Sequence, residues 1–334
     1  MASSQDTELT PRESRVIGGL LGVHCGDSLG APLEFMSHAQ IARKYPRGLR
    51  EMVAGGHFGW PAGAATDDTD MTRGVLLAYA DAKPGDDVAR LAGENFLKWL
   101  NGDWPGRKLG SYPKDIGGAT SDGLEKYEHT RNPDRAGAGE GRAGNGSLMR
   151  CVPTGLFQTD PQKLITESER ISKITHDDKR CIIACAAYNT MISKLVDGES
   201  AVDAVAAGQE VAKRLEGSTS GQVYQSIELA KTLDLAAMAE KGPSPKLRGG
   251  CSGYVLASLS VAVAAVLDKR SLEDNLVDVV RIGKDTDTNG AIAGGLLGAR
   301  DGEGAIPESW KDILQFGPEF RKVALSLLRS GVSD

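Results

Sequence analysis

The chain has 334 residues, 39 Lys and Arg against 45 Asp and Glu for a formal charge of −6, and 40% hydrophobic residues. That is the composition of a soluble globular protein long enough to bury a sizeable core without disulfides or metals, so a metal site would be free to serve chemistry. The acidic balance argues against a nucleic-acid surface, no apolar run is long enough to span a membrane, and the polar start, MASSQDTELTPRESR, lacks a signal-peptide core.

In chain order, residues 1–12 are expected to be a disordered tail. Thr10-Pro11 then resembles an N-cap with proline at the first helical position, and Val16, Ile17, Leu20, Leu21 and Val23 mark a first helix. Gly26-Asp27-Ser28-Leu29-Gly30 ends it in a glycine-rich turn. That turn could deliver Glu34 toward a site from a loop; a C-cap followed by an exposed glutamate is the plainer alternative. Arg50 to Val53 is the one short piece that invites a strand. Thr66-Asp67-Asp68-Thr69-Asp70 leads into a helix marked by Met71, Val75, Leu76, Leu77 and Tyr79. Capping would explain a threonine and first-turn acids there, yet three carboxylates within four residues exceed what a cap needs.

A helical period continues over 86–101, and Asn101 to Gly146, rich in Gly, Pro and charge, reads as long active-site loops. Within it, Gly137 to Arg150 is a glycine-rich run that could offer backbone N–H groups to a phosphate. No strand precedes it, so a dinucleotide fingerprint fails. Helical patterns follow over 161–175, 178–197, 200–215, 221–239, 251–267, 271–283 and 288–299, with His176 between the first two. The five histidines show no zinc spacing. The five scattered cysteines, without Cys-x-x-Cys, suit a reducing cytoplasmic or nucleocytoplasmic setting. The sum is an all-α chain of about a dozen helices, one compact domain over 13–330.

The second acidic group, Asp285-Thr286-Asp287-Thr288, again stands where a helix begins. Hard divalent cations take oxygen ligands, and carboxylates with threonine hydroxyls suit Mg²⁺ or Mn²⁺. Two such helix starts facing each other could hold two cations at roughly 3.5–4 Å.

The order Gly26-Asp27, Gly30, Glu34, then Thr66-Asp67-Asp68-Thr69, Gly144-Asn145-Gly146 with Met149-Arg150, Thr175-His176 and Gly283-x-Asp285-Thr286-Asp287-Thr288 resembles the ADP-ribosylglycohydrolases over about residues 13 to 300. The resemblance implies a compact all-helical (orthogonal bundle) domain with a central binuclear Mg²⁺ or Mn²⁺ centre. It implies Thr66, Asp67, Asp68, Asp285, Asp287 and Thr288 as metal ligands, and Gly144, Asn145, Gly146, Ser147 and His176 as ADP-ribose contacts. Glu34 and Asp115 are the candidates for general acid or base. The substrate would be an ADP-ribosylated protein, arginine-linked by the context of Glu34-Phe35-Met36 and Asp115, or a small ADP-ribosyl compound. Competing readings are a binuclear hydrolase of a free ADP-ribose derivative and a non-catalytic ADP-ribose-binding member. Gly118, where one branch carries Asn, and Lys284, where glycine is more usual, depart from the pattern. Lys284, at a helical start, is expected to point away from the metals.

Overall fold

Thr10 opens the first helix by a reciprocal cap. Its hydroxyl accepts the Glu13 N–H at 3.2 Å, the Glu13 carboxylate accepts the Thr10 N–H at 2.8 Å, and Pro11 follows at the first helical position. The computed structural model describes residues 8–330. Of the expected tail, residues 1–7 lie outside the described residues. The remainder is ordered, with Leu9 packed on the core and the helix under way at Pro11.

Sixteen α-helices occur among the described residues: α1 (Pro11–Gly30), α2 (His38–Lys44), α3 (Asp67–Asp81), α4 (Val88–Leu100), α5 (Gly118–Thr130), α6 (Val152–Phe157), α7 (Pro161–Lys173) and α8 (Lys179–Val196) come first. Then follow α9 (Ala201–Glu216), α10 (Gln222–Ala230), α11 (Leu235–Lys241), α12 (Val255–Leu267), α13 (Leu272–Arg281), α14 (Thr286–Asp301), α15 (Glu308–Lys311) and α16 (Gly317–Ser330). No strand forms among them. The expectation at Arg50–Val53 fails because Arg50 is used otherwise. Its carbonyl accepts the Trp310 indole at 2.8 Å, and its guanidinium pairs with Glu273 and Asp274. The single helix read over 221–239 is two, since Asp234 caps α11 by accepting the Ala237 N–H. The helix read from 251 begins at Val255, because Gly253, at φ +47°, gives its N–H to Asp285 instead.

The centre of the fold is an antiparallel pair. Gly18, Gly22, Gly26 and Gly30 lie one turn apart on α1, and each step up α1 is matched by a step down α14 through Gly298, Gly294, Gly290 and Thr286. A Cβ on Gly22 would stand 2.1 Å from the Gly294 carbonyl oxygen, and one on Gly26 would stand 1.9 Å from that of Gly290. The two backbones therefore touch, which only glycine allows. This register has a direct consequence for function. It sets the C-terminal end of α1, with Glu34 beyond it, against the acidic start of α14.

Around this pair, α12 is buried along nearly its whole length, as its uninterrupted apolar and small sequence requires. Helices with one apolar face, such as α4, α7, α9, α13 and α16, form the outer shell. No helix among the described residues is long and apolar enough to cross a membrane. All five cysteines are buried and unpaired.

Candidate metal centre and adjoining cavity

Thr66 caps α3 through its hydroxyl, which accepts the Asp68 N–H at 3.4 Å. A second cap comes from across the chain. Asp27, fully buried on α1, accepts the Thr66 N–H at 3.0 Å and the Thr69 N–H at 3.2 Å, and also the Thr69 hydroxyl. Ser28 adds a bond to the Ala64 carbonyl. The start of α3 is thus fastened to α1, and with it Asp67 and Asp68. The start of α14 is fastened likewise, by the Thr286 hydroxyl on the Gly30 carbonyl at 2.8 Å.

The two acidic helix starts meet. The Thr288 hydroxyl bonds Asp68 Oδ2 at 3.3 Å, and the Thr66 hydroxyl bonds the same oxygen at 3.2 Å. One ligand atom each from Glu34, Asp285 and Asp287 lies within 4.8 Å of the others. Asp285 Oδ2 is held by Asn145 Nδ2 at 2.7 Å and the Gly253 N–H at 2.9 Å. Asp68 Oδ1 and Glu34 Oε2 are buried with no hydrogen-bond partner.

These carboxylates are uncomfortable as anions. Burial, then Asp115 and Asp285, push Glu34 up to about 9. Burial raises Asp67, Asp68 and Asp287 well above the carboxylate range, with neighbouring acids adding to it, and Asp115 rises to about 6. The charges that push each of them are mainly one another. Unpartnered buried oxygens, a shared acidic pocket and threonine hydroxyls together form a donor set that fits hard divalent cations, which would supply the missing counter-charge.

Not every acid of the first cluster takes part. Asp70 is engaged elsewhere, accepting the indoles of Trp99 and Trp104 at 2.9 and 2.8 Å. Glu34 is buried within reach of Asp285 and Asp287 rather than exposed after a helix end.

A cavity of about 530 Å³ opens onto the group, walled by Glu34, Asp67, Asp115, Asp285, Asp287 and Thr288 together with Gly144, Asn145, Gly146 and His176. The backbone N–H groups of Gly144, Gly146 and Ser147 donate to no protein acceptor among the described residues. His176 lies beneath this loop, and a Cβ at Gly146 would stand 2.9 Å from its ring, so the loop can be this close only as glycine. Burial, with Arg150 and Arg142 behind it, lowers His176 to about 3, which keeps the imidazole neutral.

The Ser147 side chain does not line the cavity: its hydroxyl is buried and accepts from Ser172 at 2.9 Å, behind the loop, which leaves its backbone N–H as the group that could meet a ligand. Gly118 lines the cavity at the start of α5. Lys284 precedes α14 rather than entering it and is exposed at the cavity rim, not turned away from it. Its φ is +74°, facing Phe35 at +65°, and the two segments exchange backbone bonds, Phe35 N–H to Lys284 O and Lys284 N–H to Met36 O, both 2.7 Å. Sequence reasoning quoted Asp27 and Arg150 without giving either a duty. The signal for Asp27 was a lone acid on a glycine-rich helical face; Arg150, four residues beyond a cavity glycine, gave none.

A second cavity of about 390 Å³ shares Asp67 and Asp115 with the first and is walled by Trp60, Tyr112 and Lys114. The Lys114 ammonium sits 5.4 Å from the centre of the Trp60 ring.

The sequence matches the family model described as ADP-ribosylglycohydrolase over residues 8–333. It is 32% identical, over 298 residues, to the ADP-ribosyl-[dinitrogen reductase] glycohydrolase of Rhodospirillum rubrum, covering 89% of this chain and 88% of that one. It is 27% identical to the ADP-ribosylarginine hydrolase Tri1 of Pseudomonas putida, covering 97% and 81%. A solved structure titled ADP-ribosylglycohydrolase-related protein complex superposes with a TM-score of 0.76 at 27% identity, covering 96% of this chain and 99% of that one.

Proposed function

The chain belongs to the ADP-ribosylglycohydrolase family, and from that footing we propose that it frees ADP-ribose from a protein arginine by hydrolysing the glycosidic bond at the distal ribose. The family and the named relatives make it an ADP-ribosyl glycohydrolase, a hydrolase. Arginine is favoured as the acceptor because one relative is an ADP-ribosylarginine hydrolase.

The observation that carries the reading is the meeting of two acidic helix starts, Thr288 on Asp68, at a cavity also walled by a glycine loop with unused backbone N–H groups. Thr66, Asp67, Asp68, Asp285, Asp287 and Thr288 would hold two divalent cations, Mg²⁺ or Mn²⁺. Bound there, the cations would polarise the ribose hydroxyls and acidify a water.

The chain's own groups do the rest. The amides of Gly144, Gly146 and Ser147 and the His176 imidazole receive the diphosphate and ribose oxygens. Asn145 keeps Asp285 in place. With cations supplying the counter-charge that keeps them ionised, Glu34 or Asp115 would take the proton from the attacking water as the ribose passes through its oxocarbenium-like state; the C–N bond breaks, and the linked guanidinium leaves as neutral guanidine, which then takes up a proton. The second cavity offers the acceptor room on the far side of Asp67 and Asp115, whose carboxylates suit a guanidinium, with Trp60 as part of its wall. Buried free thiols favour a reducing, cytoplasmic setting.

The test is a panel of arginine-, serine- and carboxyl-linked ADP-ribosyl peptides in Mg²⁺. Release from the arginine linkage in preference to the others is expected. Cleavage of serine- or ester-linked substrate with the arginine linkage untouched would overturn the acceptor assignment.

A further inference from the structure

Arg150 is fully buried, and its guanidinium faces no carboxylate among the hydrogen-bond partners it makes. Such a cation is costly unless it has a task. Its Nη1 donates to the Gly146 carbonyl at 2.6 Å, its Nη2 donates to the Thr175 hydroxyl at 2.7 Å, and the ring of Phe96 lies 4.6 Å from its Cζ. The Thr175 hydroxyl in turn lies 2.8 Å from His176 Nδ1.

Proton counting settles the direction of that last bond. Arginine can only donate, so the Thr175 oxygen accepts from it. Thr175 is fully buried, and the one other partner of its hydroxyl is His176. Were Nδ1 the donor, the hydroxyl hydrogen would be buried with no acceptor, which costs about 1–3 kcal/mol. Thr175 therefore donates to Nδ1, and the imidazole hydrogen sits on Nε2. That nitrogen lies beside the glycine loop: a Cβ at Gly144 would stand 3.2 Å from it. By holding the Gly146 carbonyl inward, the same guanidinium turns the opposite side of that planar peptide, the Ser147 N–H, away from itself.

We infer that Arg150 is a positioning residue which, through Thr175, fixes His176 as the Nε2–H tautomer and so presents a permanent hydrogen-bond donor to an anionic or hydroxyl oxygen of the ligand. The ligand's identity as ADP-ribose rests on the reading above; the tautomer does not.

The experiment is ¹⁵N NMR of the imidazoles in the full chain, beside calorimetry with ADP-ribose in Mg²⁺. Wild type should show His176 protonated on Nε2. Thr175→Val, nearly isosteric, should release the tautomer to a mixture and weaken ADP-ribose by about tenfold, while Thr175→Ser, which restores the hydroxyl, should recover both. Wild-type His176 protonated on Nδ1, or Thr175→Val with wild-type tautomer and affinity, would overturn the inference. Wild type that carries the Nε2 proton but binds no ADP-ribose would sink the functional reading and leave the relay standing.

Discussion

Glu34 and Asp285 share one oxygen cluster, yet the account gives them different duties. Asp285 is held in place by Asn145 and Gly253, as suits the ligand role proposed for it; Glu34 comes from a turn outside both helix starts with one buried oxygen unpartnered. Glu34→Gln should therefore lower turnover by about 10²–10⁴-fold while Mn²⁺ and ADP-ribose bind within a few-fold of wild type by calorimetry. Asp285→Asn should weaken metal binding as well as turnover. Equal loss of metal in both variants would make Glu34 part of the cage. On the acceptor side, Trp60→Ala should raise KM for arginine-linked substrate and leave ADP-ribose affinity alone; unchanged KM would remove the second cavity from the reaction. At this scale much was legible. Two Asp-Thr groups at helix starts are visible as spacing, and so is Glu34 four residues beyond Gly30, although Gly26 and Gly30 are helical rather than the turn their glycines suggest. Ser147, Asp27 and Arg150 were not, because their duties depend on partners 25 to 42 positions away in sequence.

The element that makes the site possible is the α1–α14 pair, whose backbones approach within glycine-only distance. Gly22→Ala would drive a methyl group to 2.1 Å from the Gly294 carbonyl oxygen, with only backbone there to yield. A loss of about 1–3 kcal/mol or more is expected in urea unfolding, with activity falling as Glu34 and α14 move apart. Gly304→Ala, where a Cβ meets nothing within 4 Å, is the control and should leave the midpoint unchanged. Equal midpoints for the two variants would show that the close approach does not bear on stability. The glycines of 17–30 and 290–299 stand in the sequence where helices could come close, and a helical period locates most of the shell. It cannot show that the two glycine rows face each other, and it misses α2, α5, α6, α15 and α16. The helices α2, α6 and α15 are short, α5 lies in the 101–146 stretch expected to be loops, where glycine and charge mask its period, and α16 lies beyond the last motif.

For the whole molecule, buried titratable groups tie stability to pH. His24 lies fully buried against Phe316 and Phe320, with neither ring nitrogen bonded, and burial lowers it to about 3 from an ordinary 6.5. Between those values the unfolded chain binds a proton that the folded chain refuses. The stabilisation is complete above pH 6.5 and is lost as pH falls toward 3. Urea midpoints of wild type should therefore drop more between pH 7.5 and 5 than those of His24→Leu; parallel curves would contradict this. The all-α class was readable from composition and period, whereas the burial of His24 follows only from where α16 packs. The claim on which everything else hangs is that the two acidic helix starts form one binuclear centre that powers hydrolysis. The most direct measurement strips the protein with EDTA, restores Mg²⁺ or Mn²⁺ in measured equivalents, and follows ADP-ribose release from an arginine-linked peptide beside the Asp287→Ala variant. The account predicts no release when stripped, recovery as the second equivalent binds, and none in Asp287→Ala at any metal concentration that leaves the helical spectrum intact. Full turnover in excess chelator, or in the variant, would contradict it.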